Sequence, residues 1–230
     1  MIIAERKPFE EIREYVKDYK KIMVLGCGTC VAVCQAGGEK EAAILASELR
    51  LALGSEGREV TVTDETVVRQ CDDEFMADTA FLEKIREADI IISIACGVGV
   101  QHAYAFFNRV IEDKSIKVIP GLNTTFMGAN LDVGHYEERC LGCGDCVLER
   151  TAGICPITRC AKSLLNGPCG GSSDGKCEIS KDTDCAWHLI IERLKALEEL
   201  ERIRPVEIYK DWRPSHSGGP RKVLREDLRL

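Results

Sequence analysis

Apolar residues in the first half of the chain follow two rhythms in turn. Behind Pro8, the residues Phe9, Ile12, Val16 and Tyr19 recur at helical spacing, and residues 21–25, Lys-Ile-Met-Val-Leu, form a short apolar run of the kind that makes a buried strand. From Glu39 a second helix shows Ala42, Leu45, Ala46, Leu49 and Leu53 on one face and stops at Gly54. Residues 59–63 read as a second strand, 79–87 as a helix and 90–95 as a largely apolar third strand. A helix carrying Ala103, Phe106, Phe107, Val110 and Ile111 then leads to a fourth strand at 117–120. This alternation predicts an α/β fold, a parallel sheet with helices on both faces joined by right-handed crossovers. In such sheets functional groups collect beyond the carboxyl ends of the strands, where strand order reverses. With an order of 2-1-3-4, the first and third strands meet at that point.

Beyond residue 120 the rhythm is lost. Residues 121–139 read as a polar, glycine-containing connector, and a helix returns only with Ala186, Ile190, Leu194 and Leu197, for which Asp182 and Thr183 are the candidate caps. It ends before Pro205, and the remainder, with Pro214, Gly218, Gly219 and Pro220, has no apolar stripe. That tail is either solvated or an arm that orders on a partner, with Trp212 and Leu224 as anchors. The expected organisation is an α/β domain at 1–135, a small cysteine-rich metal-cluster module at 136–188, and a C-terminal helix and partner-binding tail at 189–230.

Charge and composition narrow the function. A net charge of −7 speaks against nucleic acid, whose phosphates call for a basic stripe. The longest apolar run, residues 90–100, falls well short of the roughly 20 residues needed to cross a bilayer, and the N-terminus lacks the apolar core of a signal peptide. A cytoplasmic protein is therefore expected. Thirteen cysteines in that compartment point to metal and not to disulfides.

Eight of them, Cys140, Cys143, Cys146, Cys155, Cys160, Cys169, Cys177 and Cys185, make two sets of four. The C-x2-C-x2-C triplet at the start, followed by the Cys155-Pro156 pair, is the kind of run that ligates a [4Fe-4S] cluster. Zinc is the alternative, since it takes four thiolates too, but usually from two C-x2-C pairs on separate knuckles. Earlier in the chain, Cys27, Cys30 and Cys34 follow the first strand, Cys96 follows the third, and Cys71 lies in the loop after the second. The strand order predicts a third metal site ligated by Cys27, Cys30, Cys34 and Cys96, with Cys71 as a competing or fifth ligand. The bland reading is that Cys71 and Cys96 are small buried apolar residues. Two or three clusters are expected in all, with zinc as the alternative at one site. The Gly26-x-Gly28 pair is not a dinucleotide fingerprint, because Val31 stands where a third glycine belongs.

The letters from Cys140 through Thr151, Gly153, Cys155, Pro156, Cys160, Lys162, Leu164, Asn166, Gly167, Pro168, Cys169, Gly170, Gly171, Gly175, Cys177 and Glu178 to Cys185 and Trp187 resemble the cysteine-rich C-terminal domain of bacterial and archaeal methylenetetrahydrofolate reductases. In acetogens that domain belongs to a small subunit beside the flavin-bearing reductase, and the N-terminal cysteine motif is similar to that subunit too. The resemblance implies an iron-sulfur electron-transfer and scaffolding subunit of one-carbon metabolism. It implies a methylenetetrahydrofolate reductase partner that holds FMN and the folate, and ferredoxin or an electron-bifurcating complex as donor. A zinc-stabilised assembly subunit of the same complex is the alternative. His102, His135, His188 and His216 are scattered, and no nucleophile or phosphate-binding motif is present, so the chain carries no complete active site of its own.

Overall fold

Four isoleucines in the five positions 90–94 make a strand without a polar face, buried along its whole length. The computed structural model describes residues 1–228, whose elements run β1 (Ile2–Arg6), α1 (Phe9–Val16), β2 (Lys21–Cys27), α2 (Cys30–Val33), α3 (Glu39–Ser55), β3 (Thr61–Val67), α4 (Thr79–Glu87), β4 (Ile90–Ile94), α5 (Gly97–Val110), β5 (Val118–Pro120), β6 (Leu122–Asp132), β7 (His135–Cys140), α6 (Pro156–Arg159) and α7 (Ala186–Ala196). A strand like β4 needs apolar cover on both faces. It sits with β2 at the centre of a four-stranded parallel sheet of order β3-β2-β4-β5. Numbered along the chain within that sheet, this is the 2-1-3-4 order expected from the sequence.

Alternation along the two central strands divides the core into two layers. Ile22, Val24, Ile90, Ile92 and Ile94 pack with Ile12 and Val16 of α1 and with Leu45, Leu49 and Leu53 of α3. Met23, Leu25 and Ile91 face the other way, against Phe81 and Ile85 of α4 and Ala103, Phe106 and Phe107 of α5. Each such side chain, once fully buried, contributes about 1.5–3 kcal/mol. The helices therefore cover both faces. The edge strand β3 runs later than residues 59–63 and includes Asp64, Glu65 and Thr66, because an edge strand leaves polar side chains open to solvent. Glu65 pairs there with Lys84.

Residues 121–139 are not a connector. β6 and β7 form, with β1, a second sheet of order β1-β6-β7, in which β1 runs antiparallel to β6 and Ile2 stands opposite Met127. Its apolar positions are few, since Leu122 is the only buried residue of β6, and backbone pairing to a strand 120 residues away defines it. Thr125 adds a side-chain hydrogen bond to the carbonyl of Ile3 at 2.9 Å.

The chain divides into two units, Met1–Glu137 and Glu138–Leu230. The second has little regular structure besides α6 and α7, and its buried cluster consists of Ile154, Cys185, Trp187, Ile190 and Leu194. α7 begins after Cys185, not at Asp182 or Thr183, and no side chain caps it. Among the described residues no helix is long and apolar enough to cross a membrane.

Candidate metal centres

In the first unit, β2 and β4 lie side by side, and their carboxyl ends mark the place where strand order reverses. Cys27 is the last residue of β2, Cys30 opens α2, and Cys96 caps α5 directly beyond β4. The first N–H groups of α5 give that end partial positive charge, which favours anionic sulfur beside it. Cys71 reaches the same rim. Desolvation is the largest cause holding its thiol above the ordinary value, although the residue as a whole is exposed, and the like charges of Cys96 and then Cys27 raise it further. Cys96 and Cys27 thus lie within electrostatic reach of Cys71, without the three thiols being close enough to grip one ion.

The device that holds Cys71 there is its neighbour Gln70, which is fully buried. Its amide nitrogen donates to the carbonyls of Leu25 at 2.9 Å and Gly26 at 3.0 Å on β2. Its amide oxygen accepts from Ser93 Oγ on β4 at 2.6 Å. One side chain satisfies polar groups on both cysteine-bearing strands. The Cys34 thiol donates to the carbonyls of Val31 at 3.6 Å and Ala4 at 3.8 Å, and it lies in the apolar cluster under α3 together with the similarly buried Cys27.

In the second unit, Cys160, Cys169, Cys177 and Cys185 line one small pocket together with Arg159, Lys162, Glu178 and Trp187. The motif letters around them build its walls. Gly167 lies flat against the Trp187 indole, where any added Cβ would come within 2.2 Å of the ring. Trp187 in turn donates its ring N–H to Leu164 O at 2.9 Å. Lys162 forms an ion pair with Glu178. The Cys169 thiol is held below its ordinary value, first by the Gly171 backbone N–H and further by the Lys162 charge. The lining also carries Arg159, and the second carboxylate oxygen of Glu178 accepts from the Cys169 thiol at 3.7 Å.

Cys140, Cys143, Cys146 and Cys155 remain as the other set of that unit. The Gly142 N–H donates to Cys140 Sγ at 3.2 Å, and Thr158 Oγ1 donates to Cys155 Sγ at 3.5 Å. Hydrogen bonds of this kind to sulfur are how a protein steadies and tunes thiolate ligands. Gly144 is required between Cys143 and Cys146. It adopts φ +82°, and a Cβ there would come within 2.5 Å of Pro214.

Among the described residues, no three His, Cys, Asp or Glu side chains are grouped tightly enough to grip a single metal ion. The donor set fits a cluster in its chemistry: all sulfur, with cations and backbone N–H groups nearby. Sequence reasoning missed Gln70, whose one signal is an uncharged polar residue beside a cysteine. It also missed Gly144 as the seat of Pro214.

A pH test follows from the raised thiol of the first unit. In reduced, metal-free protein, Cys71 is expected to react with iodoacetamide near neutral pH more slowly than the cysteines of the second unit, because a raised pKa leaves less thiolate there. Mass spectrometry of the labelled peptides across pH 6–10 checks the order, and a Cys71 profile equal to theirs would refute its environment.

Residues 119–213 match a protein family described as methylene-tetrahydrofolate reductase C terminal. That stretch, which contains all eight cysteines of the second unit, is similar to that family. No curated protein and no solved structure matches the chain.

Proposed function

We propose that the chain is a non-catalytic iron-sulfur subunit that relays electrons to the flavin of a methylenetetrahydrofolate reductase partner. The observation that carries this reading is the convergence of Cys160, Cys169, Cys177 and Cys185 on one pocket, inside the stretch similar to that reductase family. A bound cluster supplies one-electron transfer at a potential set by charge, hydrogen bonds to sulfur and exposure. Cys140, Cys143, Cys146 and Cys155 would hold a second group, and Cys27, Cys30, Cys71 and Cys96 a third. Twelve ligands in three sets leave Cys34 over, in keeping with its thiol being hydrogen-bonded inside the core. The chain's own residues exclude water around Cys185, offset charge through Arg159 and Lys162, and aim N–H groups at sulfur. FMN and the folate belong to the partner, and ferredoxin or an electron-bifurcating assembly is the donor.

A second reading puts zinc in the pocket. Cys185 is buried beside Trp187 in the small apolar cluster, and closed sites of that kind are structural in zinc proteins. Metal analysis separates the two. Anaerobically purified chain is expected to be brown, with about four irons per set of four cysteines. Mixed with the reductase partner and reduced ferredoxin, it should speed reduction of the partner's flavin. An iron-free chain, or flavin reduction equally fast without it, would sink the electron-transfer role.

A further inference from the structure

The tail beyond α7 folds back on the C-x2-C-x2-C loop, and one buried cation makes the joint. The Lys210 side chain is fully shielded from solvent, at 0 % exposure. Its ammonium donates to the backbone carbonyl of Asp145, stands 3.2 Å from the Asp145 carboxylate, and lies 5.5 Å from the centre of the Trp212 ring. A lysine this buried needs such partners, because an unpaired charge out of water is strongly unfavourable. All three contacts come from Asp145 and Trp212, and Asp145 sits between two of the cysteines.

Further tail residues close over the same loop. Pro214 packs on Gly144, and Arg221 donates to Gly142 O at 2.7 Å and to Pro214 O at 3.1 Å. Ser215, buried next to Pro214, donates its hydroxyl to Trp212 O at 2.5 Å and so sets the turn. Upstream, Asn166 pairs with the backbone of Glu207 through two hydrogen bonds, at 2.6 and 2.8 Å, and Arg150 donates to Pro205 O at 2.8 Å. Residues 205–221 are thus tied down along their length by hydrogen bonds to and from the cysteine-rich module.

The decisive contact is a shared acceptor. The Cys143 thiol donates to Asp145 O at 3.6 Å, the same carbonyl that takes the Lys210 ammonium. When Cys143 gives up its proton to serve as a ligand, that carbonyl keeps the Lys210 ammonium as a donor, and the ammonium, paired with the Asp145 carboxylate, stands one shared acceptor away from the sulfur. From this geometry we infer that residues 205–221 are a strap that closes the triplet site, and that Lys210 is the positioning residue that places a permanent cation next to Cys143. The charge role rests on the iron-sulfur reading of that loop; the strap role does not. A group bound there that took up an electron would gain one negative charge, and a neighbouring cation would favour that reduced form.

The test uses the full-length chain, isolated anaerobically, as wild type, Lys210→Met and Lys210→Arg. EPR-monitored titration is expected to show one midpoint potential moved to a more negative value in Lys210→Met, with the others unmoved and with Lys210→Arg close to wild type. Release of iron to a ferrous chelator should be about 10- to 100-fold faster in Lys210→Met, the usual scale for loss of a group that supports a metal ligand. Unchanged potentials, or equal shifts in the Met and Arg variants, would overturn the charge role. Should Lys210→Met fail to accumulate, Arg221→Met must hasten iron release, and no effect there overturns the strap. If the wild type holds zinc and no iron, the electron-transfer reading fails by itself, and zinc release from the same variants decides the strap separately.

Discussion

Removal of metal from the intact chain is expected to collapse the second unit and leave the first one folded. Residues 138–228 bury one small apolar cluster, built on Ile154, Trp187, Ile190 and Leu194, and contain only the short α6 and an 11-residue α7 as regular helices. A core this small for the length of the module leaves much of its stability to cross-links such as bound metal. Metal binding to four thiolates supplies on the order of 10 kcal/mol in small metal-folded domains, enough to decide whether such a module folds. The first unit has two apolar layers around β2 and β4 and does not depend on metal in the same way. The readout is built into the sequence. Both tryptophans, Trp187 and Trp212, lie beyond residue 137, and Trp187 is 3 % exposed. Chelation under reducing conditions should shift tryptophan emission to that of solvated indole, while most of the helical circular dichroism persists because α1, α3, α4 and α5 are elsewhere. Emission unchanged after complete metal loss would show that the module stands on its own packing.

The α/β fold was legible because its central strands are apolar on both faces and each leads through a cysteine into a helix; the strand order was assumed, and with it the meeting of Cys27 and Cys96 at one end of the sheet. What escaped was defined by backbone pairing alone. β6 carries Asn123, Thr124 and Thr125 where an apolar stripe would have shown it, and β1 is five residues long. Missing β1 hid one neighbour of a candidate ligand, since the Cys34 thiol donates to the Ala4 carbonyl of that strand as well as to Val31 O. The strap was illegible for a related reason: Lys210, Pro214 and Arg221 act through single polar or packing contacts, which leave no periodicity in a sequence.

The largest effect in the first unit is expected from Cys71→Ser, set against Cys34→Ser. Cys71 shares its electrostatic surroundings with Cys96 and Cys27 and is fixed beside them through Gln70, which spans β2 and β4. Its loss should remove the whole metal complement of residues 1–137, because three thiolates and a poorer hydroxyl donor do not replace four soft sulfurs. The complement of the second unit should stay. Cys34→Ser should keep full metal content, since the serine hydroxyl can donate to the same Ala4 carbonyl, and should lower stability by about 1–2 kcal/mol for placing a hydroxyl in an apolar site. Metal analysis and thermal unfolding of the two variants decide between ligand sets. Loss of metal in Cys34→Ser with retention in Cys71→Ser would restore the run Cys27, Cys30, Cys34 and Cys96 as the site. It would also mean that the Cys34 side chain leaves its core position when metal binds, at the expense of two hydrogen bonds and its packing under α3.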